Sequence, residues 1–120
     1  MDKKKLGYYG EAAVCSYLEG EGYQILAKNY TVRGGEIDII AENGDCIAFV
    51  EVKTRHTGSL VSGFEAVTAS KQRFIIRTAE AYLLRNGSEL QPRFDVAAVE
   101  YDGERICGID YIENAFDASR

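Results

Sequence analysis

Histidine, proline and positive charge are scarce in this sequence, and long apolar runs are absent. A single histidine, His56, gives no support to a histidine-ligated zinc site. No stretch approaches the run of about 18 apolar residues that a spanning helix needs, so no membrane segment is expected. The N-terminus, Met1-Asp2-Lys3-Lys4-Lys5, is briefly basic, but Gly7-Tyr8-Tyr9-Gly10-Glu11 follows where a signal peptide would place its apolar core. That pattern argues against export and for a cytoplasmic protein. Cys15, Cys46 and Cys107 are odd in number, widely spaced and set among apolar residues. They read as small core residues in a reducing compartment, with a disulfide or zinc site as the remoter alternative.

The deficit of positive charge bears on function. There are 19 acidic against 14 basic residues, a net charge of −5, whereas nucleic-acid binders usually lean the other way. The charge is unevenly spread. Residues 53–77 carry Lys53, Arg55, Lys71, Arg73 and Arg77 against Glu65 alone, while residues 100–120 hold six acids against Arg105 and Arg120. A basic middle beside an acidic edge is compatible with a local phosphate-binding surface.

The length of 120 residues suits one domain with its core over about 6–112. A helix is expected from Leu6 to Glu19, with Val14, Tyr17 and Leu18 as its apolar face and Gly20 or Gly22 closing it. Glu11 aligns with that face at the spacing of Cys15 and Leu18. A carboxylate there either needs a partner or sits solvated in the first turns. Strands are expected over Tyr23–Tyr30, Glu36–Ala41 and Cys46–Lys53, the last two joined by a turn at Asn43-Gly44. A second helix, capped by Thr68 or Ser70, runs to Arg85 on a stripe of Ile75, Ala79, Tyr82 and Leu83. Strands follow at Phe94–Tyr101 and Ile106–Tyr111, with a frayed tail after Glu113. The stretch from Thr54 to Val67, with Gly58 and Gly63, is the one long connection and reads as a flap. The order predicts an α/β (mixed α+β) fold, a mixed central sheet flanked by helices.

Period-two geometry singles out the first hairpin. Glu36 and Asp38 share one face of its first strand, Ile37 and Ile39 the other. On the returning strand Phe49, Glu51, Lys53 and Arg55 point one way. Two charges in an otherwise apolar strand are costly unless paired or metal-bound. A turn centred on Asn43-Gly44 pairs Asp38 near Ala48 or Phe49, diagonal to Glu51. Strand twist can still bring both carboxylates to one ion. Oxygen-only ligands suit Mg²⁺ or Mn²⁺. The plainer alternative is a cross-strand salt network in which Lys53 neutralises Glu36 or Glu51.

Gly35-Glu36-Ile37-Asp38-Ile39-Ile40-Ala41 followed by Phe49-Val50-Glu51-Val52-Lys53-Thr54-Arg55 resembles the signature of the YraN-type family (UPF0102) of bacterial proteins. The resemblance extends to Gly10-Glu11-Ala12-Ala13, to Ala66-Val67-Thr68 with Lys71-Gln72, and to Arg93-Phe94-Asp95-Val96. It implies a restriction-endonuclease-like core, similar to archaeal Holliday-junction resolvases. By position it implies that Glu11, Asp38 and Glu51 are metal-site acids, that Val52 offers its carbonyl, and that Lys53 is the active-site lysine. Flanked by carboxylates, Lys53 reads better as a stabilising ammonium than as a base. Lys71 or Gln72 resembles a supplementary site or DNA-contact position.

Arg33, Arg55, Lys71 and Arg73 are further candidates for contacts to DNA phosphates. Tyr8 and Tyr9 are read as half-buried and amphipathic. The resulting expectation is metal-dependent hydrolysis of phosphodiesters in DNA, branched or structured. The alternative is a non-catalytic nucleic-acid-binding or protein-interaction accessory in repair or recombination. A two-carboxylate glycosidase suits Lys53 poorly. Symmetric DNA is often met by a homodimer, for which an edge strand around Tyr101 to Tyr111 offers an interface.

Overall fold

Cys46-Ile47-Ala48-Phe49-Val50 is apolar on both faces, which a strand sustains only when both of its sides are covered. The computed structural model, which describes residues 3–57 and 67–118, puts that strand at the centre of the molecule. Helix α1 spans Lys3–Gly20, strand β1 Gln24–Val32, β2 Gly35–Glu42 and β3 Cys46–His56. Helix α2 follows over Ala69–Asn86, then β4 over Gln91–Tyr101 and β5 over Ile106–Phe116. The strands form one mixed sheet in the order β1-β2-β3-β4-β5. Only β3 and β4 run parallel, from Cys46↔Gln91 to His56↔Tyr101, and α2 is the crossover between them.

Each helix covers one face. Val14 and Leu18 of α1 pack with Ile39, Ala41, Ala48, Val50, Ala97 and Val99. Ile75, Ala79 and Tyr82 of α2 pack with Ile37, Ile40, Ile47, Phe49 and Phe94. Helix α2 starts where Thr68 accepts the Lys71 N–H on its side-chain oxygen, and it ends at Gly87, whose φ is 73°. No helix among the described residues is long and apolar enough to cross a membrane.

Several expectations shift. The tail after Glu113 is not frayed: β5 continues to Phe116, which pairs with Phe94 and stacks on its ring at 5.2 Å. β3 runs on past Lys53 because β4 offers it a partner as far as Tyr101. Cys15 and Cys46 are buried, but Cys107 is exposed on the outer strand β5, and all three are free. Tyr8 and Tyr9 are exposed on α1 rather than half-buried. Of the connection expected over 54–67, residues 58–66 lie outside the described residues. Thr54 to His56 extend β3, and Val67 is buried against the α2-side core.

The described residues include one fully buried acid, Asp95, and the C-terminal half of the sheet is organised around it. Its carboxylate accepts from Arg93 Nε at 2.9 Å, from the Tyr111 hydroxyl at 2.6 Å and from the Asn114 backbone N–H at 2.9 Å. Arg93 also reaches the Tyr23 hydroxyl. Asn114 has a φ of 53°, and the β4–β5 register shifts between Phe94 and Val96. The buried carboxylate therefore satisfies a backbone donor that the bulge leaves out of the ladder. Hydrogen bonding to Asp95 holds the Arg93 guanidinium firmly charged. Burial, and then the Asp95 charge, push the Tyr111 hydroxyl well above the usual tyrosine range. Removing the carboxylate strands the guanidinium and two other donors, the Tyr111 hydroxyl and the Asn114 N–H. Asp95→Ala is expected to cost about 3–5 kcal/mol in urea unfolding. A loss under about 1 kcal/mol would mean the cluster is replaceable by solvent.

Candidate functional site

The hairpin forms, but its turn centre moves one residue along the chain, which shifts the cross-strand pairing by two. The Asn43 side-chain oxygen accepts the N–H groups of Asp45 (3.0 Å) and Cys46 (2.9 Å), so Asn43 closes the turn instead of entering it. Gly44, with φ 97°, takes the first central position. The ladder then reads Glu42↔Ile47, Ala41↔Ala48, Ile40↔Phe49 and Ile39↔Val50. Asp38 is next in line and faces Glu51, not Ala48 or Phe49. The two carboxylates lie across from one another at the end of the ladder and line one hollow, rather than sitting diagonally.

At that step β2 and β3 part. The ladder stops at Ile39↔Val50, and the Val52 N–H donates to the Asp38 carboxylate at 2.8 Å. N–H and C=O of one strand residue point to the same side, so the Val52 carbonyl faces the same gap. Across β1, Asn29 lies between the pairs Lys28↔Ile39 and Tyr30↔Ile37, with a φ of 52°. The kink breaks the alternation of β2. Ile37 packs on the α2 side and Ile39 on the α1 side, where both were expected on one face.

A hollow of about 200 Å³ opens beside the parting, lined by Gly35, Glu36, Asp38, Glu51, Lys71 and Phe74 among others. A second, lined by Lys4, Tyr8, Glu11, Asn29 and Glu36, lies on the α1 side, and Glu36 lines both. Glycines allow the close approach. A Cβ on Gly35 would run into the Thr78 hydroxyl and crowd the Phe74 carbonyl of α2, and one on Gly10 would meet the Thr54 hydroxyl. The two contacts bring α2 onto β2 next to Glu36 and α1 onto β3 next to Glu11.

The electrostatics are those of crowded acids. Burial first, and then the Glu51 charge, push the Asp38 carboxyl up to about 7 from its ordinary 3.8. Glu11 and Glu36 raise it further, against the lowering effect of the Val52 hydrogen bond. Glu51, only 11% exposed, is met by Lys71 Nζ at 3.3 Å. Glu11 accepts from the Asn29 amide at 3.0 Å. Among the described residues, no three Asp, Glu, His or Cys side chains converge on one point. A pair of carboxylates and a strand carbonyl instead fit an ion that keeps several of its waters, as Mg²⁺ does.

The remaining candidates separate. Lys53 shares the strand face of Glu51 one repeat further on, beside Ala98 of β4, but enters none of the ion pairs between described residues. In the described structure the cation paired with Glu51 is Lys71. Arg55 is tied to Glu100 at 2.7 Å. The Gln72 amide donates to the Val67 carbonyl at 2.9 Å, and Arg73 donates to the Ser70 hydroxyl at 3.2 Å on the exposed start of α2. Arg33 is exposed in the turn before Gly34-Gly35. Sequence reasoning missed Glu36 as a shared wall and Asn29 as the partner of Glu11. Asn29, a residue that tolerates left-handed backbone inside a strand, was the available signal.

Asp38 titrates higher in the fold than in the unfolded chain, so without metal its contribution to stability falls as pH rises from about 4 to 7. Asp38→Asn keeps the oxygen that accepts from Val52 and removes the charge. In chelator, its urea midpoint is expected to exceed that of the parent at pH 8 by an amount worth a few kcal/mol, and the gap should narrow by pH 5. An Asn variant less stable than the parent at pH 8 would contradict the crowding.

The model of the uncharacterised protein family UPF0102 matches residues 10–99. A UPF0102 protein of Symbiobacterium thermophilum is 48% identical over 118 residues, covering 96% of this chain and 98% of that one. One from Chlorobium chlorochromatii is 47% identical over 117 residues, 93% and 91% of the two chains. One from Geobacter metallireducens is 42% identical over 118 residues, 98% and 96%. The cross-strand acids, the glycines that admit them and the start of α2 all fall within the matched stretch, and the chain belongs to the UPF0102 family.

Proposed function

We propose that this protein is a metal-dependent phosphodiesterase acting on DNA, with Mg²⁺ or Mn²⁺ held by Asp38, Glu51 and the carbonyl of Val52. The observation that carries the reading is the parting of β2 from β3, which leaves two carboxylates side by side and a strand carbonyl unclaimed by the ladder. A purely structural pair would gain nothing from such crowding, since it pushes Asp38 toward neutrality. The resemblance of the hairpin to the Asp…Glu-x-Lys pattern of restriction-endonuclease-like enzymes points the same way.

When bound, the ion supplies Lewis acidity toward a phosphate oxygen and toward the attacking water. The protein's own residues do the rest. The Val52 N–H fixes the Asp38 carboxylate in orientation, and Glu51 is held by its strand on the opposite side of the gap. Glu36 and Glu11 add negative potential that favours a dication over a monovalent ion. Lys53, on the strand face of Glu51, offers an ammonium to the charge that builds on phosphorus. Arg33 and Arg73, both exposed near the hollow, suit backbone phosphates and give affinity without sequence choice.

The net charge of −5 favours a second reading, a non-catalytic accessory that keeps the metal but does not cut. One experiment separates them: Mn²⁺ and Mg²⁺ titrations of the parent and Asp38→Ala, with cleavage assays on duplex, flap and four-way-junction DNA at low salt. Cleavage of at least one substrate is expected, falling by roughly 100-fold or more in Asp38→Ala and in Lys53→Met. Metal binding that depends on Asp38, without cleavage, would leave the accessory role. Absence of both would overturn the metal centre itself.

A further inference from the structure

We infer that Lys71 is the site's internal counter-ion: it holds Glu51 while the centre is free of metal and competes with a divalent cation for that carboxylate. The inference rests on the metal centre proposed above. A cation in the first turn of a helix opposes the helix dipole, and α2 has no acid there to offset it. Lys71 is therefore in an unfavourable place for a surface lysine, and what it gains is Glu51, 3.3 Å away. Glu51 is 11% exposed and needs a partner, whereas the Lys71 side chain is 52% exposed and needs none. One end of the pair is fixed and the other is free to leave.

The backbone beneath Lys71 is anchored. Its N–H donates to the Thr68 hydroxyl at 3.2 Å, and the Gln72 amide closes on the Val67 carbonyl. Exchange then involves rotation of one side chain, not movement of the helix. The single ammonium faces more than one carboxylate, since Asp38 and Glu36 line the same hollow and enter no ion pair with a described residue. A dication held by Asp38 and Glu51 would neutralise more of this charge than Lys71 can and would leave the ammonium free at the mouth of the hollow. Lys71 thus sets the threshold for metal and is freed, by metal, for an anionic ligand.

The test is Mn²⁺ affinity by calorimetry, at fixed ionic strength, of the parent, Lys71→Met and Arg73→Met, with acetylation of Lys71 followed by mass spectrometry. Lys71→Met is expected to bind Mn²⁺ roughly 3- to 10-fold more tightly. Arg73→Met, which removes a charge from the same helical turn but bonds only to Ser70 in the described structure, is expected to stay within about 2-fold. In the parent, Mn²⁺ should speed Lys71 acetylation, and in Glu51→Gln acetylation should already be fast without metal. Unchanged or weaker binding by Lys71→Met, equal tightening by Arg73→Met, or acetylation indifferent to Mn²⁺ would overturn the inference. If the parent meanwhile binds Mn²⁺ in an Asp38-dependent way, the metal centre stands without it; if the parent binds no Mn²⁺, both fall.

Discussion

The hydrogen bond from the Val52 N–H to the Asp38 carboxylate is the contact on which the site depends. In a regular antiparallel ladder that N–H would belong to a carbonyl of β2. Here β2 turns away after Ile39, and a side chain takes the carbonyl's place. The substitution lets the two central strands separate without leaving a buried donor unpaired. It also fixes Asp38 in the gap, opposite Glu51, in a place where its charge is poorly solvated. Fold and site are coupled through this one bond, because the interaction that completes the backbone also positions the acid.

Around that bond the molecule divides its charges by function. Asp95, fully buried, is saturated by Arg93, Tyr111 and a backbone N–H. Such a carboxylate has no capacity left for a ligand and serves to lock β4 to β5. Asp38 and Glu51 are the reverse case. They have one neutral donor and one half-exposed lysine between them, so they retain lone pairs and negative potential. The contrast is chemical, since both sites use strand residues in one sheet. What differs is whether the partners within the protein saturate the acid, as Arg93 and Tyr111 do for Asp95, or leave it only partly satisfied.

Much of this was legible in the sequence, for identifiable reasons. The central strand, the two helices and the hairpin follow from apolar periodicity, from Thr68 as a cap and from the Asn43-Gly44 signal. Setting Asp38 opposite Glu51 needed one more fact, that Asn43 would use its side chain to close the turn, moving the turn centre by one residue and the pairing by two. That choice is set by competition between two turn geometries, both compatible with the same residues. The kink at Asn29 and the splitting of Ile37 from Ile39 arise from tertiary packing and leave no trace in alternation. Lys71 was visible as a basic residue, but its partner lies 20 positions away across the crossover, where spacing carries no information.

The acidity of the chain is then less of an obstacle than it first looks. Six of the acids fall in residues 100–120, and several of these are engaged: Glu100 holds Arg55, Glu113 approaches Arg93 at 3.8 Å, and Asp102 caps the turn before β5. Over a Debye length of about 8 Å at physiological salt, a phosphate at the hollow responds to its immediate neighbours rather than to the net charge. Those neighbours are three carboxylates and one lysine, a setting that repels an anion until a dication enters. On the proposed function, metal and phosphate bind in sequence, the first creating the potential that admits the second. On that proposal these same charges make anion binding depend on the metal, and a net charge of −5 is compatible with that reading.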